Sequence, residues 1–393
     1  MLIQKMKNKV IIFADAFGYE LLTESERDIL RSAKIRLFEI KPPLAYTFGI
    51  LASFFTGKPP RETNIWTENY LSIKNAKNSL FLKKILRYIP NWVIKNQKLN
   101  YFINILIDLF KKDIILGKIP VLNIPANIIP YFYQLNAKTL IFKRHVNAIE
   151  TIFNKIYLLN KKVNYLGWPK SLENIDEILE HVEYSIVHGK SNIIFAYISD
   201  IDHFAHNFGV KSKEVLNLKR KLLNFIKDVL MQNLDLDFAI ISDHSMENIK
   251  EPVNLTEIIE KNGYIRGNNY IDFIDSTIQR FWIKKSLQSK FSDFLINSCS
   301  DYGHILSLKE KKQFGIDFST RKFGDIIFLA NPGITFSNNF FSITGKQSKA
   351  LHGYSPNFKS QHGLLISNMD LDMDDRILTS EDVFNKIQEF VTK

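Results

Sequence analysis

Short apolar runs that end in acidic residues recur along this 393-residue chain. Val10-Ile11-Ile12-Phe13-Ala14 leads into Asp15, Ile193 to Ile198 leads towards Asp202, and Phe238-Ala239-Ile240-Ile241 leads to Asp243. Runs of this length, rich in β-branched and aromatic residues, suit strands buried on both faces better than helices. A further run, Gly363-Leu364-Leu365-Ile366, reads as the last strand, with His362 at its start. Between the runs lie helical patterns. Leu172 to His188 places Ile175, Ile178, Leu179, Val182 and Ile186 at helical spacing. Val215 to Met231 does the same with Leu216, Leu218, Leu222, Leu223, Ile226 and Leu230. The alternation predicts an α/β fold, a doubly wound and mostly parallel central sheet with helices on both faces. In such sheets ligands bind beyond the carboxyl ends of the strands. The acidic residues fall at those ends.

The pattern changes twice. In residues 70–140, Phe81, Leu82, Ile85, Leu86 and Ile89 make an amphipathic stripe, and Tyr101 to Phe110 is a second apolar helix candidate. Pro120, Pro125 and Pro130 then interrupt regular structure. This segment reads as an inserted cap, and residues 255–345 as a second insertion or smaller subdomain, within one domain spanning 1–393.

Composition narrows the chemistry. Hydrophobic residues make up 45% and charged residues 24%, which excludes wholesale disorder. The single cysteine, Cys299, excludes an internal disulfide framework and Cys-rich metal sites. Any metal must be held by His, Asp and Glu, ligands suited to hard or borderline divalent ions. The basic N-terminus is followed by only a short apolar run and resembles no secretory leader. Nor is there an uninterrupted apolar stretch of bilayer-spanning length, so a soluble, cytoplasmic protein is expected.

The net charge of +11 is unevenly placed. Residues 71–118 carry ten Lys and Arg against Asp108 and Asp113, most of the excess. Such a field attracts an anionic partner: a phosphate-bearing substrate, nucleic acid or an anionic membrane. Tyr88, Trp92, Tyr101 and Phe102 are interleaved with these lysines, a mixture compatible with interfacial binding or base stacking. A solvated basic face over an apolar core is the simpler reading.

Four clusters can carry chemistry. Asp15 ends the first strand and precedes Ala16-Phe17-Gly18. Asp202 and His206 are four residues apart, which on a helix puts carboxylate and imidazole on one face. Asp243-His244 follows a strand directly and converges only if a tight loop begins there. His352 stands before Gly353-Tyr354 in a loop-like stretch. Singly, each is as readily a turn or surface residue. Together they supply three carboxylates and three imidazoles, about the inventory that two divalent ions with mixed O/N ligands require.

In order along the chain come Asp-Ala-Phe-Gly from Asp15, Thr47 ahead of Thr56-Gly57-Lys58-Pro59-Pro60, Asp202-x-x-x-His206-x-x-Gly209, Ser242-Asp243-His244-Ser245-Met246 and His352-Gly353-Tyr354. This series resembles the alkaline phosphatase superfamily, nearest to its nucleotide pyrophosphatase/phosphodiesterase branch. The resemblance implies one metal held by Asp202, His206 and His352. It implies a second held by Asp15, Asp243 and His244, with Thr47 reaching it as nucleophile. The family's nucleophile lies nine residues before the Thr of its Thr-Gly turn, and counting back from Thr56 gives Thr47. Zinc is the metal implied, and manganese also suits such a site. The branch places an Asn downstream of the nucleophile on a phosphate oxygen. The same spacing lands here on Glu68, and a one-residue shift gives Asn69. His203, His304 and His362 receive no role.

Activity follows as an expectation: a phosphohydrolase, foremost a phosphodiesterase or nucleotide pyrophosphatase, acting through a phosphorylated Thr47. The same site would also serve a phosphomonoesterase, phosphonate hydrolase or phosphoryl transferase, with Lys58 and Arg61 as candidate extra cations. A non-catalytic module binding anionic surfaces through the basic segment is the alternative from another class.

Overall fold

The apolar runs form the middle of a six-stranded sheet. The structure is a computed structural model that describes residues 8–71, 89–90, 93, 96, 98–99, 101–103, 105, 124–125, 127–134, 143–168, 174–188, 191–231, 236–341, 347–369 and 376–392. The strands are β1 (Asn8–Ala14), β2 (Arg36–Ile40), β3 (Val163–Gly167), β4 (Ile193–Ile198), β5 (Leu236–Ser242) and β6 (Gly363–Ser367), in the order β2-β6-β5-β1-β4-β3. β1 runs parallel to β4 and β5, and β3 parallel to β4. β6 is antiparallel to both neighbours, so the sheet is mostly parallel, as expected. All of β4 and all of β1 beyond Asn8 are buried, which is why these strands read as continuous apolar runs rather than alternating ones.

Among the described residues the longer helices that accompany the sheet are α1 (Glu24–Ser32), α2 (Thr47–Thr56), α3 (Ile152–Leu158), α4 (Ile175–His188), α5 (Asp200–Phe208), α6 (Lys213–Met231) and α7 (Ser380–Thr392). The amphipathic ones are set by spacing; α4 buries Ile175, Ile178 and Val182. α1 starts on a capping box in which Thr23 and Glu26 satisfy each other's backbone N–H. α2, α3 and α7 cover the sheet face that carries Ile11 and Phe13. Phe55 meets Phe13, Phe153 and Phe195 at ring distances of 6.5, 5.1 and 6.0 Å. Val383, Ile387 and Phe390 of α7 lie over Ile11, Ile241 and Leu365. Each such fully buried side chain contributes about 1.5–3 kcal/mol.

These elements belong to one compact unit, Met1–Trp66, Lys138–Asn248 and Pro356–Lys393; a second comprises Thr67–Ala137 and Ile249–Ser355. The second unit centres on a four-stranded antiparallel sheet, Tyr270–Ile274, Ile278–Ile283, Ile326–Ala330 and Gly303–Ile305 in that order. Phe273, Phe281, Phe291 and Phe328 are fully buried in its core. A short ladder pairs Asn69–Leu71 with Phe132–Gln134. The two stretches read from sequence as separate insertions thus fall within a single unit. Most of the basic segment, including the stripe from Phe81 to Leu86 and Trp92, lies outside the described residues.

Candidate active site

Local backbone geometry brings the loops after β1 and β5 together. Ala16 takes a left-handed conformation (φ 61°), which turns the chain sharply after Asp15. Gly18 then packs on Ser245 so closely that a Cβ there would lie 2.0 Å from the serine Cβ. Only glycine fits. The Ser242 hydroxyl donates to the carbonyl of His244 at 3.0 Å and holds the tight loop after β5. Asp243 and His244 consequently converge.

Thr47 enters as the first residue of α2. The helix is apolar all round and eight of its ten residues are buried. Gly49 lets it approach the chain at Trp66, whose carbonyl would be 2.5 Å from a Cβ at that position. Gly57, at φ 68°, ends the helix in a left-handed cap and donates to Ser53 O. The Thr-Gly turn is therefore a helix C-terminus, and its spacing from Thr47 is the length of α2.

Three oxygens surround one imidazole nitrogen. His244 Nε2 lies 3.4 Å from Asp15 Oδ1, 3.4 Å from Asp243 Oδ2 and 3.4 Å from Thr47 Oγ1. His244 Nδ1 sits 3.1 Å from Ser245 O. Donation there leaves the Nε2 lone pair facing the oxygens. Asp15 Oδ1 and Asp243 Oδ2 are buried and accept no hydrogen bond from the described residues. Burial, followed by the charges of Asp243 and Asp202, pushes the Asp15 carboxyl well above its usual range. Asp243 is raised by burial and by Asp202, against the pull of His244. Buried carboxylates crowded in this way are what a cation would offset, and the mixed O/N donor set suits a divalent ion. The ligand atoms of Asp15, Asp243 and His244 lie within 4.8 Å of one another. The residues present fit a metal.

Tyr197 was not singled out in the sequence, where it looked like one more member of an apolar run. Its hydroxyl donates to Asp15 Oδ2 at 2.6 Å, and its ring stacks on Phe13 at 5.1 Å. Trp168 packs on Tyr197 and on Phe48, the neighbour of Thr47. Asp202 occupies the first turn of α5, and His206 follows one turn later with Nε2 3.4 Å from Asp202 Oδ1. The predicted shared helix face is present.

A family model for type I phosphodiesterase/nucleotide pyrophosphatase matches residues 39–355. The chain belongs to that family. Its members are hydrolases of phosphodiester and related bonds, and this phosphodiesterase-family chain is one of them. Murine ectonucleotide pyrophosphatase/phosphodiesterase 5 shares the fold over 98% of this chain and 95% of its own, with a TM-score of 0.65 at 12% identity. An inactive variant of that protein in complex with AMP gives 0.63, with the same coverage and identity. Phosphonoacetate hydrolase from Sinorhizobium meliloti 1021, in complex with phosphonoacetate, covers 98% and 96% with 0.61 at 11% identity. Sequence comparison with curated proteins gives no match.

Two residues implied by the resemblance belong to the second unit of this family member. Asn69 opens the short strand Asn69–Leu71 and is fully buried. Among the described residues neither atom of its side-chain amide has a hydrogen-bond partner. Glu68 beside it is only half-buried. His352 is buried on the turn after Ala350–Leu351, ahead of Gly353 at φ 88°. The remaining histidines are engaged elsewhere or exposed. His362 contacts Glu39 Oε1 at 2.5 Å and Pro356 O at 2.8 Å through its two nitrogens. His304 pairs with Glu310 at 2.9 Å, and His203 is exposed on α5.

Proposed function

We propose that this protein hydrolyses phosphodiesters or phosphoanhydrides of small anionic molecules through a phosphorylated Thr47, with two divalent ions. The observation that carries the reading is the placing of Thr47 Oγ1 at a helix N-terminus, on the nitrogen that Asp15 and Asp243 also face. One ion would be held by Asp15, Asp243, His244 and Thr47. The other would be held by Asp202 and His206, one helical turn apart, and by His352 on the strength of the family likeness. Zinc is the expected metal, and manganese suits the same donors. When bound, such ions lower the pKa of a coordinated hydroxyl and offset charge on phosphoryl oxygens.

The chain's own residues do the rest. Thr47 Oγ1 attacks phosphorus as the bond to the leaving oxygen breaks in line, and its proton is lost to solvent. The leaving group departs with the electrons of the broken bond. Water then attacks phosphorus from the side opposite Thr47 as the bond from phosphorus to Oγ1 breaks. The phosphoryl product leaves with the water oxygen, and a proton from that water restores the Thr47 hydroxyl. The positive end of the α2 dipole favours an anionic phosphoryl group beside Thr47. Asn69 is proposed to donate its amide to a phosphoryl oxygen. Phe48, next in sequence to the nucleophile, packs on Trp168 and would be the apolar contact for an aromatic leaving group. The phosphate and phosphonate ligands named for the structural neighbours, AMP and phosphonoacetate, are consistent with this substrate class.

The test is hydrolysis of bis(p-nitrophenyl) phosphate by wild type and by Thr47→Ala, after chelation and after return of Zn²⁺ or Mn²⁺. Metal-dependent cleavage that falls at least ~10³-fold in the mutant is expected. Faster cleavage of p-nitrophenyl phosphate or of phosphonoacetate would reassign the substrate while keeping the site. Undiminished cleavage by Thr47→Ala would sink the nucleophile assignment.

A further inference from the structure

One turn in the second unit reaches the backbone of both proposed site residues of that unit. It comprises residues 275–277, between the strands Tyr270–Ile274 and Ile278–Ile283. Ser276 is left-handed there, with φ 69°. The turn is closed by Asp275 N–H donating to Ile278 O at 2.8 Å, while Ser276 O accepts from Phe336 N–H at 2.7 Å. On one side, Asp275 Oδ2 accepts from Arg280 Nε at 2.6 Å, and Arg280 Nη1 donates onward to the backbone carbonyl of Asn69 at 2.8 Å. On the other side, the Thr277 hydroxyl lies 3.2 Å from His352 O and 3.0 Å from Gly353 O.

Burial makes this arrangement costly. Arg280 and Asp275 are 0% and 1% exposed, and the guanidinium lies 4.8 Å from the Phe273 ring centroid and 5.6 Å from that of Trp282. An apolar pair of similar size generally serves stability as well as a buried ion pair does. What an apolar pair cannot do is grip a peptide carbonyl in one orientation. Asn69 needs such a grip, because among the described residues its side-chain amide has no hydrogen-bond partner to aim it. His352 is followed by Gly353 in the left-handed conformation, and the Thr277 hydroxyl bridges the carbonyls of the two.

We infer that Arg280, Asp275 and Thr277 are positioning residues that fix Asn69 and His352 as one preorganised pair. The inference rests on the proposed roles of those two residues. Ligands held by outer partners typically lose 10–100-fold in metal affinity or activity when the partner is removed.

Two double-mutant cycles test it. In the first, zinc binding to chelator-stripped protein is measured by calorimetry. Thr277→Val, which keeps the side-chain shape, should weaken zinc about 10-fold. In a His352→Ala background it should cost nothing further. In the second, bis(p-nitrophenyl) phosphate turnover is compared for Arg280→Met, Asn69→Ala and the double mutant. Arg280→Met should lower kcat about 10–100-fold, with little change in KM and no added loss beside Asn69→Ala. Arg280→Lys should recover part of the rate. Additive losses in both cycles, or melting shifts with kcat and zinc affinity intact, would overturn the inference. If wild type binds zinc yet cleaves no diester, the proposed reaction fails while the zinc cycle still decides the positioning role. If wild type takes up no zinc, both fail.

Discussion

His244 carries a single nitrogen towards Asp15, Asp243 and Thr47, so small displacements of any oxygen change the whole cluster. Tyr197 is the residue best placed to cause one, because its hydroxyl decides which Asp15 oxygen stays without a partner. Tyr197→Phe should weaken zinc binding about 10-fold, read by competition with a fluorescent chelator, while the melting temperature changes little. An unchanged zinc affinity would show that Asp15 is aimed by its backbone alone. Lys322 gives a separate test of local burial, which pushes its amine down to about 8. The unfolded chain then binds this proton more tightly than the folded one, and stability should rise between about pH 8 and 10.5, the span from its folded to its ordinary value. A titration of isotopically dimethylated lysine by NMR would check the shift. At this scale the sequence was most legible for residues that stand at the ends of apolar runs, Asp15 and Asp243 among them. Tyr197 was hidden inside an apolar run, where its type alone says only that a strand is buried. Arg280 was hidden because an arginine beside Gln279 reads as solvent-exposed, and only its pairing with Asp275 explains its burial.

The element that matters most for chemistry was also the least periodic. α2 has no polar face, so helical spacing gives no contrast to detect, and its identity follows only from Gly57 at one end and the buried packing along its length. Gly49 is where that packing is tightest. Gly49→Ala would push a methyl against the Trp66 carbonyl, which is backbone and cannot rotate away. A loss of about 1–3 kcal/mol is expected, together with a fall in kcat larger than that seen for alanine at other buried α2 positions. Denaturant unfolding and diester turnover on the same preparations would show whether stability and rate fall together. β1, β4 and β5 were readable because parallel strands buried on both faces make unbroken apolar runs. The direction of β6 was not, since a run of that kind looks the same in either orientation.

For the molecule as a whole, the sequence reads as two separate insertions and does not register that residues 67–137 and 249–355 share a unit. That union depends on a core assembled from distant parts of the chain, in which Phe132 packs on Phe273 and Trp282, and local patterns do not register it. The buried carboxylates also act at this scale. Asp15 and Asp243 keep their protons to higher pH in the folded metal-free chain than when unfolded. The unfolded chain therefore ionises first, and metal-free stability should fall as pH rises above about 4. Divalent ions should reverse the trend, because binding requires the ionised form. Melting curves from pH 5 to 8 with and without zinc would check this, and parallel curves would mean that the cluster does not bind zinc in the folded state.

β6 has a consequence for how the protein is made. It stands between β2 and β5, yet it is synthesised after every other strand of the sheet. Until it emerges from the ribosome, β2 and β5 present open edges to each other across a missing strand, and such edges invite pairing with foreign chains. β2 leads directly to α2, so the nucleophile too waits on that final insertion. A nascent chain stalled before Gly363 should accordingly be bound by chaperones and sensitive to protease around β2. Release of the next few residues should end both conditions at once.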